Sequence, residues 1–168
     1  VAPVSIAHSE TRTIVREVRV TGSVTSPRNA SLSTQVGGMV ERIAVEEGDR
    51  VEPGQVLLEL DRELAALQLE TVEAQAQRAR AALTDARRRL KESRSLVRDG
   101  SFPQSEFESL QSEVQMAVAE LDAARAEARH QQALLQRYRV TAPFAGVINQ
   151  RLAELGEWIS PGDSLLEL

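Results

Sequence analysis

Residues Gly38–Leu60 read GMVERIAVEEGDRVEPGQVLLEL, and residues Gly146–Leu168 read GVINQRLAELGEWISPGDSLLEL. The two stretches align without a gap at a constant offset of 108, with nine of 23 positions identical. Ordinary residue usage gives roughly one or two matches by chance. The identities fall on the punctuation (Gly48/Gly156, Pro53/Pro161, Gly54/Gly162) and on the last strand (Leu57/Leu165, Leu58/Leu166, Leu60/Leu168). A repeat of this kind describes two similar units that pack together. Here a long insertion separates them.

Each unit reads as short strands joined by tight turns. Pro then Gly at the centre of Glu52–Gln55 and of Ser160–Asp163 suits a type II turn, because Pro presets φ and Gly accepts a positive φ. Gly48 and Gly156 mark an earlier turn in each unit. The structural turns are therefore assigned to Gly48, Pro53, Gly54, Gly156, Pro161 and Gly162. One such unit is too small to bury its apolar face alone; two face to face form a small β-sandwich.

The insertion has a different period. Leu69, Val72, Ala76, Ala79, Leu83, Ala86, Leu90 and Val97 recur at steps of three and four, with Ser93 as a polar member. Phe107, Leu110, Val114, Ala117, Leu121, Ala124, Ala128, Leu135 and Tyr138 do the same, broken by Gln131. This is the spacing of a coiled-coil seam, and the alanines imply a close helix approach. The residues between the series predict a tight tip. Gly100 suits a left-handed helix end, Ser101 with Gln104 reads as a capping box, and Pro103 falls in the first turn of the next helix. The first helix ends basic (Arg87, Arg88, Arg89, Lys91, Arg94, Arg98). The second begins acidic (Glu106, Glu108, Glu113), so folding back brings the two sets together.

The expected organisation is α+β. It comprises an N-terminal extended segment over 1–33, a first half-motif over 34–61, an antiparallel helical hairpin over 62–139 and a second half-motif over 140–168. Within the hairpin, the helices run 62–98 and 104–139 around a tip at 99–103. The segment Thr13–Thr21 is rich in β-branched residues, with Thr21-Gly22 and Ser26-Pro27 as breaks, and is expected to pair with chain outside this sequence.

Composition excludes several functions. A net charge of −5 and few aromatic residues disfavour nucleic acid. The chain has no Cys, hence no disulfide or thiolate metal site. No apolar run is long enough for a membrane span and no signal peptide is visible. The first residues, VAPVSIAHSE, lack an initiator Met and read as a trimmed start. His8 and His130 stand without partners for a metal or a catalytic triad, and both read as surface residues. Met39 and Met116 read as packing residues rather than copper ligands. No catalytic, cofactor or metal residue is assigned.

The half-motifs, of the form V-x-x-G-D-x-V-x-x-G-x-x-L-x-x-L, resemble the halves of a lipoyl or biotinyl domain. Such a domain split by a helical hairpin is similar to the periplasmic adaptor subunits, or membrane fusion proteins, of tripartite efflux pumps. Val36–Val40 through Val51 resembles that family's first half-motif. Arg139–Ile148 resembles its V-x-A-P-F-D-G-x-V stretch, with Ala145 in place of Asp. The resemblance implies a non-catalytic lipoyl-like β-sandwich, a coiled-coil hairpin and the first strand of an incomplete β-barrel domain that continues beyond Leu168. The implied partners are an inner-membrane transporter, an outer-membrane channel and further copies of the chain, a hexamer in the assembled pump. The hairpin length leans towards a resistance-nodulation-division transporter. The implied location is the periplasm, with an N-terminal anchor or lipid outside this sequence.

The family's tip pattern of Arg, Leu and Ser meets Leu96 here, but Glu92 and Pro103 stand at the other two positions. Arg94 or Arg98 and Ser101 are candidate substitutes. Phe102, a large apolar residue at an exposed turn, is the main candidate for a channel contact; local packing on Phe107 is the alternative. Three other readings remain. A cofactor carrier needs a lysine at the turn between halves, whereas the single lysine is Lys91, far along the first helix. An adaptor of an ABC-type or other export system and a generic coiled-coil scaffold share the same fold.

Overall fold

The computed structural model describes residues 2–22, 28–99 and 101–168. Among these described residues, nine strands and two helices follow in chain order. They are β1 (Ser31–Ser33), β2 (Gly38–Ile43), β3 (Arg50–Val51), β4 (Val56–Leu60), α1 (Glu63–Arg98), α2 (Gln104–Gln136), β5 (Arg139–Thr141), β6 (Gly146–Val147), β7 (Gln150–Arg151), β8 (Trp158–Ile159) and β9 (Ser164–Glu167). The strands form sheets ordered β1-β9-β7, β5-β4-β2-β8 and β3-β6, with every pairing antiparallel.

The repeat is a structural pseudo-twofold, and it reaches further than the identities. The same offset of 108 carries β1 onto β5, β3 onto β8 and β4 onto β9. The core follows the same rule. Val40/Ile148, Val45/Ala153, Val51/Ile159, Leu57/Leu165, Leu58/Leu166 and Leu60/Leu168 are six buried equivalent pairs in one cluster. Matched backbone bonds knit the halves. Gly48 N–H donates to Ile148 C=O at 2.8 Å, and its equivalent Gly156 N–H donates to Val40 C=O at 2.9 Å.

The halves are interleaved rather than stacked. β1 of the first half pairs with β9 of the second, and β5 of the second pairs with β4 of the first. Strand β1 therefore belongs to the sandwich, and the expected N-terminal segment over 1–33 is too long by that strand. Residues 2–22 carry no helix or strand and are exposed, so Thr13–Thr21 pairs with nothing among the described residues. Ser26-Pro27 and Gly100 lie outside the described residues.

Gly48, Gly54, Gly156 and Gly162 take φ of 91, 81, 78 and 96°. Only glycine enters that region without strain. A methyl group at Gly54 or Gly162 would meet nothing within 4 Å, so the demand there is on the backbone alone. Gly146 differs. A Cβ there would lie 3.0 Å from Leu168 Cδ1, because β6 crosses close beneath the final leucine.

The hairpin leaves the sandwich after β4 and re-enters at β5. Asp61 Oδ1 accepts the Glu63 N–H at 3.0 Å, placing a carboxylate at the start of α1. The buried faces of α1 and α2 run along the two expected series. Ala79, Leu83 and Leu121 lie at the centre, flanked by Val114, Ala117, Val118 and Ala124. Ser93 is buried within the seam, and its Oγ donates to Leu90 C=O at 3.0 Å. With 36 and 33 residues, the helices extend about 50 Å.

Two expected helix ends are corrected. α2 stops at Gln136, not 139, because Tyr138 packs on the sandwich core and its C=O accepts the Leu60 N–H at 2.8 Å. Arg139 is therefore strand, and Tyr138 serves the sandwich. No capping box forms at the tip. Pro103 is the N-cap, extended at φ −63° and ψ 135°, so Gln104 is the first helical residue and its side chain donates to Glu108 instead. The Ser101 N–H closes α1 by donating to Leu96 C=O at 2.9 Å.

Replacing Leu58 or its equivalent Leu166 by Ala is expected to lower unfolding free energy by ~2–5 kcal/mol each in urea titration, the usual range for buried leucines. Gly54→Ala or Gly162→Ala costs ~1 kcal/mol through positive φ alone, whereas Gly22→Ala in the exposed segment leaves the midpoint unchanged.

Candidate functional site

A reactive centre would need convergent titratable groups. No group of three or more His, Asp or Glu residues able to hold a metal occurs among the described residues. His8 is exposed; His130 is also exposed, 3.8 Å from Glu127 on its own helix. A groove of 1080 Å³ runs beside β1 and β6, with Arg28 and Glu167 as its only charged lining groups. Arg28 stacks over Phe144 there at 5.9 Å. The turn that would present a carrier lysine is replaced by Asp61 and the first turn of α1, and Lys91 lies exposed far along that helix.

The features able to engage another molecule are the hairpin, its tip and its root. At the tip, Arg94, Arg98 and Ser101 are exposed, Leu96 is 45% exposed, and Phe102 is half-buried, as is Phe107. Arg94 and Arg98, one turn apart, share a face of α1. Leu96 points to the opposite flank, about 200° from Arg94 at 100° per residue. The structure thus unites the two arginines and separates them from the leucine.

The root is held by an ion-pair node that sequence reading missed. Glu59 on β4 accepts from Arg42 on β2 at 3.0 Å and from Arg139, the first residue of β5, at 2.7 Å. Partial desolvation raises the Glu59 pKa, but the hydrogen bond and charge of Arg42, joined by Arg139, outweigh it and hold the carboxyl below its ordinary value. Glu59 lies between the buried Leu58 and Leu60, with its side chain 14% exposed. Only the pairing of β4 with both β2 and β5 brings the two arginines to it.

Among the described residues, the expected meeting of basic and acidic helix ends occurs at one point, where Arg89 of α1 pairs with Glu113 of α2. Arg88 turns instead to Asp85 and Glu92 on its own helix. The Arg88 hydrogen bond depresses the Asp85 pKa, and Arg88 itself is raised. Met39 and Met116, expected to pack, are 46% and 66% exposed. Met39 points outward from β2 beside its partner Trp158, and Met116 lies off the seam. Met39 and its cross-strand partner Trp158, the latter 71% exposed, leave apolar side chains on the surface of the sandwich.

Comparison with known proteins adds a family. The description "CzcB-like, barrel-sandwich hybrid domain" matches residues 28–168, beginning where the sandwich begins. Multidrug resistance protein MdtA of Pectobacterium carotovorum subsp. carotovorum is 26% identical over 163 residues, covering 97% of this chain and 40% of its own length. The chain thus spans less than half of that relative. ZneB from Cupriavidus metallidurans is 25% identical with a TM-score of 0.59, covering 83% of this chain and 60% of that one. The membrane fusion protein Spr0693 from Streptococcus pneumoniae R6 is 16% identical with a TM-score of 0.60, covering 83% and 62%. The last likeness shows the fold alone.

The depressed Glu59 pKa gives a signed expectation. Its ion pairs stabilise the fold above the unfolded carboxylate pKa, and that contribution is lost as pH falls through the lower folded value. Thermal melts of Glu59→Gln should show a lower midpoint than the parent at neutral pH. The gap should close on acidification below the ordinary carboxylate range.

Proposed function

The chain belongs to the CzcB-like barrel-sandwich hybrid family, and we propose that it is the bridging part of a periplasmic adaptor of an efflux pump. On this reading it links an inner-membrane efflux transporter to an outer-membrane channel and does no chemistry itself. The observation that carries the reading is the placement of the hairpin. It enters at the junction between the two half-motifs, and the Leu60–Tyr138 hydrogen bond and the Glu59 node fasten both of its ends to the sandwich. That geometry makes a rigid spoke rather than a swinging arm.

The parts take roles from their positions. The sandwich is the base that neighbours the transporter side, and the tip carries the channel contact through Phe102, Arg94 and Arg98, with Leu96 and Ser101 at its edges. Several copies, a hexamer by the family resemblance, surround the export path. A resistance-nodulation-division transporter is the preferred inner-membrane partner, on the hairpin length that the family resemblance associates with it. The cargo is selected by the transporter.

Phe102→Asp in the full-length protein tests the tip. The variant should keep its helical circular dichroism and still co-purify with the transporter. It should lose the channel from the complex and reduce export to the level of a deletion strain. Retained channel capture would remove Phe102 from the contact, and melting of the hairpin would make its role packing on Phe107.

A further inference from the structure

The hairpin carries opposite charges on its two broad faces. On α1, Arg80, Arg87 and Arg94 are spaced seven residues apart and form a row beside the seam. All three are exposed, and none has a carboxylate partner among the described residues. Lys91 and Arg98 extend the same flank. Beside that row α2 offers Gln111, Val118 and Arg125, again seven apart, so no carboxylate of the facing row answers it among the described residues.

The acidic row lies on the other side. Glu106, Glu113 and Glu120 are also seven apart on α2. The Arg89–Glu113 ion pair fixes which side this is. Arg89 and Arg87 lie about 200° apart around α1, with seam residues Ala86 and Leu90 between them. The glutamates therefore flank the face away from the arginine row. On that face Glu113 has its one basic partner, Arg89, while Glu106 and Glu120 have none among the described residues.

Over the outer three heptads the two rows share one register; one heptad nearer the root the same positions hold Glu73 on α1 and Glu127 on α2, and the complementarity ends there. With Glu113 level with residue 89 in the antiparallel pair, Glu120 is level with residue 82 and Glu106 with residue 96. Each glutamate then lies two residues from Arg87, Arg80 and Arg94 respectively, a uniform axial offset of about 3 Å. One small slide of a second hairpin brings all three pairs into reach together.

We infer that the basic face of one hairpin docks on the acidic face of a second copy of this chain, pairing Arg80 with Glu120, Arg87 with Glu113 and Arg94 with Glu106. The contact is heterologous, since two different faces meet, and it repeats from copy to copy until a ring closes. It deepens the assembly part of the proposed function and rests on that part alone. Segregated charge specifies the side and the register; a polyanion would use the basic row and leave the acidic row without a role. Exposed pairs are individually weak and screened by salt, so the contact depends on several acting at once.

The test uses two charge-reversed forms of the full chain. Arg80→Glu with Arg87→Glu makes both faces acidic, and Glu113→Arg with Glu120→Arg makes both basic. Circular dichroism melts first establish that each form keeps the parental fold. Sedimentation velocity at low salt should show the parent self-associating and each form about tenfold weaker or monomeric. An equimolar mixture of the two forms should regain association, and high salt should abolish it. Salt-insensitive association of the parent, undiminished association of either form, or no recovery on mixing would each overturn the inference. Binding of anionic lipid vesicles through the arginine row, without self-association of the parent, would overturn it as well. Transporter and channel co-purification with the parent is scored separately, so the face assignment can fail while the adaptor reading stands.

Discussion

Everything in this molecule depends on the cross-pairing of two half-motifs that neither completes alone. β1 lies against β9 and β5 against β4, so each half supplies the edge that the other lacks. The leucines of β4 and β9 fill the space between, and Leu57, Leu58, Leu165 and Leu166 are fully removed from solvent. Burial of that kind is worth about 1.5–3 kcal/mol per side chain, and it is available only when both halves are present. The positive-φ glycines matter for the same reason. They turn each short strand back at the residue where its partner from the other half arrives.

That closure determines what the hairpin can be. Its ends leave from β4 and return to β5, which are paired neighbours, so both helices rise from one spot. Alanines at Ala79 and Ala86 let them approach closely, and Leu83 with Leu121 fills the seam between. Direction is transmitted from sheet to helix at the root, where Asp61 accepts the first N–H of α1 and Glu59 holds Arg139. A change at Glu59 acts on how firmly the spoke is seated, while a change at Phe102 acts on what its end can touch.

The architecture was legible where identity or period expressed it. Nine shared residues exposed the repeat, and the seam positions predicted from spacing are the ones that lie inward in α1. The rest was hidden for physical reasons. β1 and β5 are equivalent yet share no residue, since Ser-Leu-Ser and Arg-Val-Thr are alike only in placing one apolar side chain inward. Pro103 displaced the expected cap because a proline with extended ψ can only precede the helix here. Tyr138 fits the heptad series but obeys the stronger demand of the sandwich. Arg94 and Leu96 look adjacent in sequence and face apart in space. The Glu59 node joins three strands and has no local pattern at all.

The bond from Leu60 to Tyr138 has a consequence for how the chain folds. Core partners such as Leu58 and Leu166 lie 108 residues apart, and contacts of that separation are slow to form because the intervening chain must be ordered first. Helical hairpin contacts are local and form early by comparison. Once α1 and α2 zip together, residues 60 and 138 are delivered to the same place, and the long loop shrinks to the short distance between neighbouring strands. The spoke is thus also a clasp: with it formed, the ends of the split domain meet no farther apart than two paired strands.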